Sequence, residues 1–247
     1  MTGDDSRRID RATTLALMRP AARVVWRVAR FKHGPLNPPD RLPVYSLLAH
    51  HNAPYPRRCW SRFDVEGRTA YFGETPQTAY AEALGAYKRL PAPSADANFM
   101  GADEIDDVPE EDWAQWRADR RLWPVELPQG EFIDILAGRS IAVLEQKMGT
   151  RLTRYGVPES GLTTAHLLGE DRELTTAIAD VLYGLELDGR AHPLGVTWES
   201  KRGWGRNYAL WLRPNATIYP TEYPARLISA HDEDLQTVAK AYRLQIA

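Results

Sequence analysis

Cysteine is nearly missing from this 247-residue chain. Cys59 stands alone, which excludes an intramolecular disulfide framework and makes a reducing compartment the expectation. Net charge is nearly missing too. With 31 Lys and Arg against 33 Asp and Glu, the formal charge is −2, so no overall field draws the chain to nucleic acid or to an anionic membrane surface. No apolar run approaches the ~18 residues of a membrane span. The opening stretch MTGDDSRRIDRATTLALMRP holds no apolar segment of signal-peptide length. These absences predict a soluble, cytoplasmic protein.

The common catalytic motifs are missing as well. No G-x-x-x-x-G-K-[ST] appears, which argues against a P-loop nucleotide hydrolase. GWGRNY starts like a dinucleotide fingerprint but lacks the third Gly and a helical pattern after it, so a hairpin loop is expected there. GVPESGL has the wrong spacing for a nucleophile elbow. Six His and one Cys show no paired ligand spacing, and the adjacent His50 and His51 would not share a face. No metal and no DNA-reading element are expected. Any catalysis therefore falls to ordinary polar side chains.

What is present is a normal globular composition, 43% hydrophobic and 26% charged, long enough to bury a real core. Residues 1–22 read as a polar arm or short helix. RVVWRVARF, 23–31, has the Val-rich alternation of a strand. Pro-rich loops on either side frame a weak element at VYSLLAHH, 44–51. RTAYFG, 68–73, predicts a strand that turns into a helix, with Thr75 as N-cap and Pro76 at the first helical position. That helix should run to about Lys88, burying Tyr80, Ala83, Leu84 and Tyr87. Pro91 to Asp112 is Pro- and acid-rich, a surface loop leading to a short helix from Pro109. EFIDIL, 131–136, predicts a strand and SIAVLEQKMG, 140–149, a helix. A clear helix follows Asp171, with Leu174, Ile178, Val181 and Leu185 on one side. PLGVTWES and NYALWLRP read as strands joined by KRGWGR, and DEDLQTVAKAYRLQ as a final amphipathic helix. Strands and helices mix without βαβ regularity, so the predicted class is α+β.

Three blocks, VVWRV, RFDVEGRTAYFGETPQTAYAEAL and DGRAHPLGVTWESKRGWGRNYALWL, together resemble the RES domain family, named for an Arg, a Glu and a Ser. The likeness covers about residues 24–88 and 173–213. It implies a fold similar to ADP-ribosyltransferase toxins, with mixed sheets and flanking helices. The matching domain would span 23–247, with a long insertion at about 91–172. It implies an enzyme that consumes NAD⁺ at the nicotinamide–ribose bond without a metal, and the toxin of a toxin–antitoxin pair. A helix-turn-helix antitoxin is the implied protein partner; self-association is left open.

The chemistry can be derived without the name. Expelling neutral nicotinamide leaves positive charge on the ribose, as in oxocarbenium-like glycoside cleavage. A carboxylate must steady that charge, and an Arg fork suits the pyrophosphate. A hydroxyl can orient the carboxylate or the nicotinamide amide, and an aromatic face can pack against the leaving ring. The resemblance places these roles on Arg27, Tyr71, Glu82 and Ser200, with Arg27, Tyr71 and Ser200 contacting NAD⁺. Each also has an ordinary reading: a solvated strand Arg, a core Tyr, a turn Ser, a solvated helix Glu. Glu199 competes with Ser200, since only one of two neighbouring strand residues can face a pocket. Glu82 is the most telling of the set, because its helix side is shared with Ala79 and Ala86 rather than with charges. A different class of function remains open, a non-catalytic binding module that uses the cleft or the 91–172 segment to hold a partner.

Overall fold

The computed structural model describes residues 6–20, 23–41, 57–88, 112–214 and 219–246. In chain order these contain β1 (Ser6–Ile9), β2 (Ala16–Arg19), β3 (Val24–Arg30), β4 (Arg68–Gly73), α1 (Pro76–Ala83), α2 (Trp113–Asp119), β5 (Arg120–Glu126), β6 (Phe132–Asp134), α3 (Gly138–Met148), α4 (Thr164–Leu168), α5 (Arg172–Tyr183), β7 (Gly195–Glu199), β8 (Arg206–Leu212), β9 (Thr221–Glu222), β10 (Arg226–Leu227) and α6 (Glu233–Tyr242). The strands form one sheet in the order β1-β2-β6-β7-β8-β4-β3-β5-β10, with β9 also on β5. Only β6 and β7 run parallel, so the sheet is mixed and curled, with helices at its flanks: an α+β fold, as the composition of elements predicts.

One seam in this sheet positions everything that follows. β4 is fully laddered to β8, from Arg68↔Leu212 to Gly73↔Asn207. β3 is fully laddered to β5, from Val24↔Glu126 to Arg30↔Arg120. Between β3 and β4 the ladder contains the single pair Trp26↔Gly73. Beyond that pair the two strands splay and leave a wedge. α1 straps the seam, because its buried Tyr80 and Leu84 pack in one cluster with Trp26, Val28 and Leu122 of the β3–β5 half and with Leu235, Val238 and Tyr242 from α6. On the other half, α3 and α5 bury Leu144 and Ile178 against Ile133, Trp198 and Trp211.

Local chemistry explains the element ends. Thr75 caps α1 by accepting a hydrogen bond from Thr78 N–H at 3.1 Å, with Pro76 behind it. α1 stops at Ala83 rather than near Lys88, and a tight turn over Gly85–Tyr87 replaces its last stretch. Asp171 caps α5 through Leu174 N–H, and α5 ends before Leu185 reaches its expected place on the stripe. The helix expected from Pro109 begins at Trp113, capped by Asp112; Pro109 itself lies outside the described residues. VYSLLAHH, with His50 and His51, also lies outside them.

Two expectations need correction. Residues 6–19 do not form an arm or a helix but a hairpin laddered to β6, pinned by Arg8, which donates to Glu131 at 2.7 Å and to Asp188 at 2.8 Å. The described part of the supposed insertion, 112–172, is woven into the fold: β5 is the ladder partner of β3, and β6 sits between β2 and β7. Among the described residues no helix is long and apolar enough to cross a membrane.

Candidate active site

The wedge beside the seam holds a cavity of about 430 Å³. Trp26 and Arg27 come to it from β3, Tyr71 from β4, Glu82 from α1, Trp198 and Asn207 from the β7–β8 hairpin, and Trp60 and Arg62 from the loop before β4. Arg172, at the start of α5, closes the far side. Its volume is within the usual range for small-molecule sites. Among the described residues that line it, three of the four charged ones are cationic, which favours an anionic ligand, and Glu82 is the one carboxylate.

Glu82 is held from one side only. Ser200 Oγ–H donates to its Oε1 at 2.8 Å, and Asn207 Nδ2–H donates to the same oxygen at 2.9 Å. Oε2 receives no hydrogen bond among the described residues, and the side chain is open to solvent. The position is a poor one for stability alone. Glu82 lies in the last turn of α1, where the helix dipole disfavours an anion, and that turn has no basic residue of its own. A carboxylate fixed by two donors, with a free oxygen facing a cavity, can steady developing positive charge or accept a hydroxyl proton.

The hairpin decides which neighbour of Ser200 faces inward. Trp198 pairs directly with Asn207, and both line the cavity. Glu199, one residue on, pairs across the ladder with Arg206 and binds its guanidinium on the other face, where Asp134 also approaches Arg206 at 3.9 Å. Glu199 therefore drops out as a cavity carboxylate. Ser200 is buried, its N–H donates to Gly205 O at 2.8 Å, and its Oγ also accepts from Arg202 N–H at 3.2 Å. That leaves Ser200 as a residue that orients Glu82. The loop expected from KRGWGR is the 201–205 turn; Gly205 takes φ +96 there, while Trp204 O accepts from Thr78 Oγ1 and ties the loop to α1.

Arg27 is half-buried on β3. Among the described residues its one hydrogen bond runs from Nη1 to Pro35 O at 2.6 Å. Burial pushes its guanidinium down to about 10, against the weaker pull of Tyr71 and Asp64 in the other direction. A half-buried cation with one neutral acceptor among the described residues is suited to an anion. Arg27 also lines a second cavity of about 470 Å³, farther down the same wedge, with Ala29, Arg30, His33 and Arg68. Arg62 is committed to backbone carbonyls, donating to Leu168 O at 2.9 Å and Gly169 O at 3.3 Å; burial, and then Arg172, holds its guanidinium below the usual arginine value.

Tyr71 presents its ring to the cavity, but its hydroxyl is taken. It donates to Asp64 Oδ1 at 2.8 Å and accepts from Phe63 N–H at 3.1 Å, and burial followed by Asp64 raises its ionisation well above the phenol value. Asp64 in turn accepts from Arg41 Nε at 2.8 Å and Ser61 N–H at 2.9 Å. The hydroxyl thus organises the 61–64 loop and is not available to a ligand. Tyr71→Phe should lower the unfolding free energy by about 1–3 kcal/mol, because it strands a buried carboxylate oxygen and a peptide N–H. Urea denaturation measures this, and an unchanged midpoint would mean the hydroxyl is dispensable to the loop.

Of the residues expected from the sequence, Arg27, Tyr71 and Glu82 line the cavity and Ser200 reaches it only through Glu82, while Asn207, Trp198 and Arg62 line it unexpected. The signal in the sequence for Asn207 was slight, an amide at the start of an apolar strand run; its place across from Trp198 comes from the ladder. Compared with protein-family models, curated proteins and solved structures, the chain matches none of them.

Proposed function

We propose that the protein cleaves NAD⁺ at the nicotinamide–ribose bond, in a split sheet of the ADP-ribosyltransferase kind. One observation carries this reading. A carboxylate held by Ser200 and Asn207 shares a cavity with the half-buried Arg27, which reaches it from the other half of the sheet. In the reaction the C1′–N bond breaks, both electrons leave with neutral nicotinamide, and the ribose becomes oxocarbenium-like. Glu82 steadies that charge and accepts a ribose hydroxyl proton in a hydrogen bond through Oε2. Arg27 binds the pyrophosphate, and the rings of Trp26 and Trp198 at the cavity wall attract the cationic pyridinium, an attraction that vanishes once the ring leaves neutral. Arg27 also borders the second cavity, which we assign to the adenylate half. Water, phosphate or a macromolecular nucleophile then attacks C1′. With water the products are ADP-ribose, nicotinamide and a proton.

Depletion of NAD⁺ would arrest growth, so a toxin neutralised by a partner protein covering the wedge follows from this reading. The test is to incubate the purified protein with NAD⁺, with and without phosphate and with cell extract as acceptor, and to assay free nicotinamide. Release in at least one condition is the expected result; none in any would overturn the proposal. The binding-module alternative places a partner surface on 91–172, of whose described part β5 and β6 belong to the sheet.

A further inference from the structure

We infer that Arg202 is a positioning residue for Glu82, with Gly85 as its seat. The inference rests on Glu82 being the reacting carboxylate. Arg202 does not line the cavity, yet it meets Ser200, one of the two donors to the carboxylate, and the end of α1 that carries it. Its backbone N–H donates to Ser200 Oγ at 3.2 Å, which turns the Ser200 proton toward Glu82 Oε1. Its guanidinium lies on Gly85, just past the end of α1, so closely that a methyl group there would coincide with it. On its other side is the ring of Tyr242 from α6, 5.9 Å from the guanidinium carbon to the ring centroid. The Tyr242 hydroxyl donates to Ala81 O at 3.3 Å, in the turn of α1 that carries Glu82.

Charge explains why an arginine sits there. α1 ends without a basic residue and carries Glu82 against its own dipole. The Arg202 guanidinium supplies, from another loop, the cation that this helix end lacks. Its planarity lets it lie between a glycine and an aromatic ring, a fit that a lysine ammonium does not reproduce. Arg202 Nε is buried and has no hydrogen-bond partner among the described residues, so Tyr242 and the electrostatics of the helix end hold the group from the other guanidinium nitrogens. Gly85 is needed for lack of a side chain, not for an unusual backbone.

Three variants test this: Arg202→Ala, Gly85→Ala and the two combined, with Arg202→Lys as the conservative change. For nicotinamide release, Arg202→Ala should lower kcat roughly tenfold with KM within about twofold, because Glu82 is misplaced and the binding groups are not. Gly85→Ala should give the same split by evicting an intact Arg202. The double variant should be no worse than the worse single one, since the methyl then meets no guanidinium. Arg202→Lys should recover part of the loss. Urea denaturation midpoints should show the same non-additivity. Additive losses, or wild-type kcat in Arg202→Ala, would overturn the inference. A wild-type protein that releases no nicotinamide would instead defeat the proposed function, and the denaturation cycle would still decide whether Gly85 seats Arg202.

Discussion

Glu82→Gln should cut nicotinamide release by about 100-fold or more and leave the thermal midpoint unchanged or slightly higher. Glutamine keeps Oε1, so Ser200 and Asn207 retain their acceptor. What disappears is the negative charge opposite the ribose, and preorganised electrostatic contacts of this kind are worth ~3 kcal/mol or more of barrier. Folding should not suffer, because Gln and Glu have similar helix propensities and the dipole at the end of α1 favours the neutral side chain by about 0.3–1 kcal/mol. This opposition is the diagnostic: activity collapses while stability holds or rises, the signature of a residue kept for chemistry at some cost to the fold. Kinetics and a melting curve on the same preparation measure both halves. Wild-type turnover in Glu82→Gln would remove Glu82 from the mechanism, and among the described residues no second carboxylate lines the cavity to replace it, since Glu199 faces away.

Arg27→Ala should act on the other parameter, raising KM for NAD⁺ about 10- to 100-fold with a smaller change in kcat. The pyrophosphate is anionic in ground state and transition state alike, so losing its partner weakens both. Hydrogen bonds between charged groups contribute roughly 1.5–3 kcal/mol, and each 1.4 kcal/mol is tenfold in affinity. Arg27→Lys should fall between, because it keeps the charge and loses the bidentate fork. Steady-state kinetics with NAD⁺ as varied substrate settle this, and an unchanged KM would mean that Arg27 serves only to hold the 33–39 segment through Pro35.

Legibility followed locality. β3, β4, α1, α5, α6 and the β7–β8 hairpin could be read because each declares itself within a dozen residues by alternation, a cap or a turn. The β1–β2 hairpin could not, since its polar outer face is held by ion pairs from Arg8 to Glu131 and Asp188, more than a hundred residues away. β5 was hidden by its own composition: Arg120 and Arg121 open it, and Pro124 sits in its middle, where a strand loses a ladder donor. Pro124 is tolerated opposite Trp26 at the seam, with its carbonyl accepting from Tyr223 N–H at 3.1 Å. In the site, Arg27, Tyr71 and Glu82 line one cavity, and Ser200 stands behind Glu82. Tyr71 kept its ring there and spent its hydroxyl on Asp64, a division that no single-residue pattern announces. Asn207 went unread because an amide in a strand shows its value only once Glu82 lies against it.

The lone Trp26↔Gly73 pair has a thermodynamic consequence. Were the register continued, residues 27–30 of β3 would zip against 69–72 of β4, and each ladder hydrogen bond would add about 0.5–1.5 kcal/mol to the fold. The protein forgoes that closure, so its resting state is a sheet kept partly unzipped by the helix strapped across it. A zipped sheet would be the more stable molecule and would have no place for a ligand. Whatever fills the wedge substitutes for the missing rungs, and occupancy and fold stability are thereby linked by mass action: the better the wedge is filled, the harder the chain becomes to unfold.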